Sequence, residues 1–155
     1  MRHRTDTDAV AREIIDLNSF MTLATANADG LPWASPVWFA PAGYTEFFWV
    51  SDPEARHSRN LATRPDLSIV IFDSQVPIST GQGVYMAAVG EEVGDVDLDR
   101  GIGVFSTRSR SHGGDAWTRD DVRPPALLRL YRATASEHFV LDPAATVNRR
   151  TAVTP

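Results

Sequence analysis

The 155 residues contain no cysteine and no lysine; all fifteen basic residues are arginine. The first absence excludes thiol catalysis, disulfides and thiolate metal sites. The second excludes Schiff-base chemistry and the lysine of a phosphate-binding loop, leaving guanidinium and imidazole as the only cationic anchors. Arginine-only basicity also fits a bias in genomic base composition. No apolar stretch reaches membrane-spanning length, and the opening MRHRTDTDAV lacks the apolar core of a secretory leader. The expected location is therefore the cytoplasm, with no membrane partner. A formal net charge of -5 argues against nucleic-acid partners, whose binding depends on phosphate neutralisation.

Other signatures are missing as well. The four histidines, His3, His57, His112 and His138, are scattered without ligand-like spacing, so no metal site is expected. There is no Gly-x-Ser-x-Gly nucleophile elbow. GIGVFS (101–106) lacks the third glycine and the β-α-β setting of a dinucleotide fingerprint.

What is present is the composition of a globular protein, 43% hydrophobic and 23% charged, in a length that suits one domain spanning 1–155. Residues 6–17 read as a helix capped by Asp6 or Thr7, with Val10, Ile14 and Leu17 on one face. SFMTLATA (19–26) then alternates as a strand, and NADG offers hairpin chemistry. LPWASPVWFA (31–40) is the partner strand, placed at an edge or bulge by its prolines. YTEFFWVS (44–51) returns to complete a three-stranded meander.

Asp52 is a suitable N-cap and Pro53 a suitable first residue for a helix running to about Thr63. Strands follow at 67–73 and 84–93. A helix over 95–108 carries a Leu98, Ile102 and Phe105 stripe, and one long strand or a pair occupies 126–142. The tail NRRTAVTP has no periodicity and reads as mobile. Six or so short strands with hairpin signals point to a small antiparallel barrel.

The chemistry concentrates in SDPEARHSRNL (51–61). A helix start offers free N–H groups and partial positive charge, and Arg56, His57 and Arg59 add cations, with Ser51 able to add a hydroxyl. Upstream, Trp33, Trp38, Phe48 and Trp49 could wall a planar ligand with a phosphate tail. The same arginines could equally pair with Glu54 or Asp66, and the tryptophans could be core.

The order of PWASPVWF, FFWVSDPEARHSRNL, RPDLSIVIFD and GQGVYMAAVGEEV resembles the FMN-binding split barrels, the pyridoxamine-5'-phosphate-oxidase-like proteins. GGDAWTRDDVRPPALLRLYRATASEHFVLDP is similar to small actinobacterial-type members. The resemblance spans residues 15–143 or so. It implies a mainly β fold with a few helices, a six-stranded antiparallel split barrel of Greek-key type, and a homodimer with FMN at the interface.

On that resemblance Pro36, Val37 and Trp38 run along the flavin, and Val50 and Ser51 meet the ribityl-phosphate. Arg56 and His57 hold the phosphate, where relatives carry lysine at the second position; Gln82, Gly83 and Tyr85 lie where a later strand meets the flavin. Trp117 sits in a loop reaching the partner's cofactor. Tyr85, His112 and Trp117 stand near the open ring face, and no catalytic acid or base is identified. The implied activity is a flavin-dependent oxidoreductase acting on a small molecule, with NAD(P)H as a possible donor. The Arg- and Trp-bearing C-terminal motif of true pyridoxamine phosphate oxidases is missing from ATVNRRTAVTP. Relatives that use deazaflavin, or bind haem and other tetrapyrroles, keep two alternatives open: a deazaflavin reductase and a non-catalytic binder.

Overall fold

The computed structural model describes residues 6–155, so His3 lies outside the described residues. Helix α1 (Thr7–Leu17) is capped by Asp6, whose carboxylate accepts from the N–H groups of Asp8 and Ala9 at 3.1 Å each. Its inward face carries Ala11 and Ile15 with Ile14 beside them, while Leu17 is 74% exposed. The buried stripe is therefore rotated from the expected one. Ala11 is small enough to let the helix lie close on the sheet.

Strands β1 (Phe20–Ala26) and β2 (Pro32–Trp38) form a hairpin in full antiparallel register. Its turn is organised by Asn27, whose side-chain oxygen accepts from the N–H groups of Asp29 and Leu31, and by Gly30 at φ 82°. Strand β2 ends the sheet, as its two prolines require. After Phe39 the chain enters β3 (Ala40–Ala42) and turns at Gly43 and Tyr44, both with positive φ, into β4 (Glu46–Ser51).

The sheet order is β2-β1-β5-β6-β7-β4-β3, with β5 (Asp66–Phe72), β6 (Gly83–Glu92) and β7 (Arg129–Leu141). Strands β2 and β3 thus stand at opposite ends of the order with one residue between them in the chain. The antiparallel sheet curls into a half-barrel, the architecture of a split barrel. The expected meander is corrected: β4 does not pair with β2 but with β3 over three residues and with β7 over six. The long β7 offers a ladder that the short hairpin cannot.

Among the described residues eight strands replace the expected six or so. One comes from the β2–β3 break at Phe39. Another is β8 (Arg150–Val153), which pairs with the end of β7. The tail is therefore built in: Val153 is buried and Thr154 N–H donates to the Asp8 carboxylate. Four residues of strand are too few to show a period in sequence.

The main core lies on the concave side of the sheet, where Met21, Leu23, Ile69, Ile71, Val84, Phe47 and Trp49 meet α1. A second core lies on the convex side, under α3 (Asp95–Ser111). There Leu98, Ile102 and Phe105 pack on Ala40, Phe48 and Leu130. Gly101 permits this contact, since a Cβ there would sit 2.9 Å from Leu130 and from Phe48. The remaining convex surface, over β1, β5 and β6, is open. No helix among the described residues is long and apolar enough to cross a membrane.

Candidate cofactor site

Strand β4 ends at Ser51, and Asp52 organises the turn that follows: its side chain accepts from Glu54 N–H and its carbonyl from Ala55 N–H. Helix α2 (Arg56–Thr63) begins only after that turn. Asp52 is thus a turn former, not the expected N-cap, and Pro53 lies outside the helix. Ala55 occupies the cap position and has no side chain to accept from the first N–H groups. The first turn also lacks an acidic residue, unlike the starts of α1 and α3.

Arg56 points outward from this start. Its guanidinium lies 4.1 Å from the ring centre of Trp33 on β2, a stacking that leaves its N–H edges available. The two residues border a cavity of about 430 Å³ also lined by Pro32, Glu54, Arg59 and Asn60. Among the described residues neither Arg56 nor Arg59 has an ion-pair partner. The wall is fixed from below: Asn60 donates to Thr25 at 3.0 Å, and Thr25 donates to the Trp33 carbonyl at 3.4 Å. Such a hollow, aromatic on one side and with the two arginines outweighing the single carboxylate of Glu54, suits a phosphate group.

His57 turns the other way. It is buried and shares a 2.8 Å hydrogen bond with Ser51, and burial pushes its pKa below the ordinary 6.5. The ring is therefore neutral at pH 7 and ties the helix start to the end of β4.

The other expected residues fall into separate groups. Val37 faces the main core, whereas Trp38 stacks edge-on against Phe105, which meets Trp117 in the same manner. Val50 packs on the same second core. His112 lies edge-on to Trp38 with Nδ1 against the Arg108 carbonyl. Gln82 uses both ends of its amide to tie β6 to β7, donating to the Leu141 carbonyl and accepting from Leu141 and Gly83 N–H.

Pro36 and Tyr85 share the open convex face. The register runs Pro36, Thr22, Val70, Tyr85, Phe139 from strand to strand. Sequence reasoning placed Arg59 and Trp33 in the right neighbourhood but did not join them to Arg56 as one wall. Asn60 gave no signal, because its role depends on a contact with Thr25, thirty-five positions away. Among the described residues no three metal-ligating side chains cluster.

A family model described as pyridoxamine 5'-phosphate oxidase matches residues 7–139. Solved structures with the same fold include HutZ, a haem storage protein from Vibrio cholerae. It is 22% identical, with 81% of this chain and 87% of that one covered and a TM-score of 0.65. A haem-binding protein from Mycobacterium smegmatis is 20% identical, with 99% of this chain covered and a TM-score of 0.74; the alignment takes in 60% of that longer chain. A Listeria innocua protein assigned as a pyridoxamine 5'-phosphate oxidase is 12% identical, with 87% and 98% covered and a TM-score of 0.65. No curated protein sequence matches the chain. At these identities the structural likenesses establish the fold.

Proposed function

This chain belongs to the pyridoxamine 5'-phosphate oxidase family, and from that premise we propose that it is a homodimeric, FMN-binding oxidoreductase acting on a small molecule. The observation that carries this reading is Arg56, unpaired among the described residues and held against Trp33 at the uncapped start of α2. Arg56 and the free N–H groups of the first turn hold the phosphate, with Arg59 as a second cation across the hollow. Ser51 and His57 keep the helix start in register with β4. The backbone of Pro36, Val37 and Trp38 on the edge strand receives the ring. When bound, the flavin supplies hydride transfer, and NAD(P)H is a donor of suitable chemistry.

A second copy would pack on the open convex face, where Phe20 is 60% exposed, Phe72 52% and Val89 48%. Phe20 and Phe72 lie close together at one end of this face and Val89 at the other, so apolar surface runs along its length.

The test is a visible absorption spectrum of the protein after addition of FMN and desalting, followed by titration of Arg56→Ala. Retained flavin bands and an affinity at least roughly tenfold weaker in the variant are expected. Equal FMN affinity in Arg56→Ala overturns the anion site. Failure to keep FMN together with uptake of a deazaflavin or haem replaces the cofactor.

A further inference from the structure

A second hollow lies on the open convex face, away from Arg56. It measures about 300 Å³, and its walls include Thr22, Val70, Tyr85, Ala87, Phe139 and Arg150. Strand register explains its shape. Ala24, Ser68 and Ala87 stand opposite one another on β1, β5 and β6 and form a floor of small side chains. The adjacent row, Thr22, Val70, Tyr85 and Phe139, rises beside it as a wall. A trough across three strands is about 10 Å wide, the breadth of a fused pair of aromatic rings with its substituent.

One charge enters this apolar trough. Arg150, on the tail strand β8, reaches across β7 and places its guanidinium 4.1 Å from the Tyr85 ring centre. It makes no ion pair or side-chain hydrogen bond among the described residues. A guanidinium stacked on a ring by its face keeps its N–H fork free at the edge, the geometry that grips a carboxylate in bidentate fashion. Its backbone is held by the β7–β8 ladder and by the burial of Val153, which sets where the exposed side chain starts.

We propose that this trough binds a planar aromatic or conjugated molecule bearing a carboxylate, with Arg150 as the residue that selects the anion. Naming that molecule as the substrate class rests on the oxidoreductase reading above, whereas the site itself stands without it. The flat body lies on Ala24, Ser68 and Ala87, and the carboxylate meets Arg150 beside Tyr85. Pairing across this face would enclose the trough and strengthen the ion pair by excluding water.

The experiment titrates the full-length protein, with and without FMN, with 2-naphthoate and with its neutral analogue 2-naphthalenemethanol, followed by intrinsic fluorescence and calorimetry. Naphthoate should bind, and Arg150→Gln should weaken it roughly tenfold or more while leaving the alcohol unchanged. Arg150→Lys, which keeps the charge but loses the fork, should fall between. Ala87→Leu, which fills the floor, should abolish binding of both compounds; matching thermal melts identify variants that remain folded. Equal naphthoate affinity in Arg150→Gln, or no binding to the wild-type chain, overturns the assignment. Arg150-dependent binding in a protein that rejects FMN removes the cofactor reading and keeps the trough; FMN binding without naphthoate binding does the reverse.

Discussion

Where α3 crosses β3, β4 and the first half of β7, the convex side of the sheet is dry and tightly packed; across β1, β5 and β6 the same side meets solvent. The sequence of the strands tracks the difference. EFFWV in β4 is apolar at consecutive positions because Phe47 and Trp49 face the main core while Phe48 faces α3. Strand β5, DLSIVIF, alternates, with Leu67, Ile69 and Ile71 inward. Its outward positions nevertheless include Val70 and Phe72. This is the surface on which the proposed second copy would pack.

The contrast can be broken first on the covered side. Phe105 is 5% exposed between Trp38 and Trp117. Phe105→Ala should cost about 3–5 kcal/mol in urea denaturation, because the two tryptophans cannot collapse into the gap. A smaller loss, about 1–2 kcal/mol, is expected from Arg132→Ala. This guanidinium holds Glu46, Glu91 and Asp97 together at the edge of the α3 interface, and its removal leaves three facing carboxylates. Added salt should reduce that loss.

Between the two sides, at the α2 start, the effect depends on pH. The folded chain holds the His57 pKa below 6.5, so the unfolded chain takes up that proton first. Its contribution to stability is complete above 6.5 and is lost as pH falls through the lower, folded value. Denaturation followed from about pH 7 to about pH 5 should show the decline, and His57→Gln should flatten it. Glu46 acts at more acid pH. Its hydrogen bond to Arg100 holds its pKa below 4.5, so its share is present above that value and disappears on further acidification.

The smallest change in stability is expected on the open side. Phe72→Glu should alter the stability of the single chain by no more than about 0.5 kcal/mol. It should nevertheless abolish self-association measured by light scattering. A variant that remains dimeric would place the second copy elsewhere.

Much of this architecture was legible from local signals. Asp6 as a cap, the Asn27–Gly30 turn, the edge position of a proline-bearing strand, and the Leu98, Ile102 and Phe105 stripe all depend on residues within a few positions of one another. The pairing of β4 with β7 was not legible, because its choice over β2 is decided by a ladder about eighty residues away. The α2 start was misplaced by its own best signal: Asp52 and Pro53 are cap chemistry in sequence, but Asp52 closes a turn with Glu54 and Ala55. At the α2 start, Arg56 could be named as a cation from pattern alone, whereas the hydroxyl of Ser51, expected to face an anion, is buried against His57. The inward turn of His57 could not, since it follows from the depth at which β4 ends. Arg150 was hidden in a tail without period, and only the β7–β8 ladder gives it a position.

Strand β2 has one further consequence. It closes one end of the sheet order as a seven-residue edge, and such edges normally recruit strands from neighbouring molecules. Pro32 and Pro36 remove two of its N–H groups and deny an incoming strand a regular ladder. The edge is thereby guarded against amyloid-like growth while its carbonyl groups stay within reach of a small molecule. A strand unfit for polymerisation is, for the same reason, one that can be left uncovered.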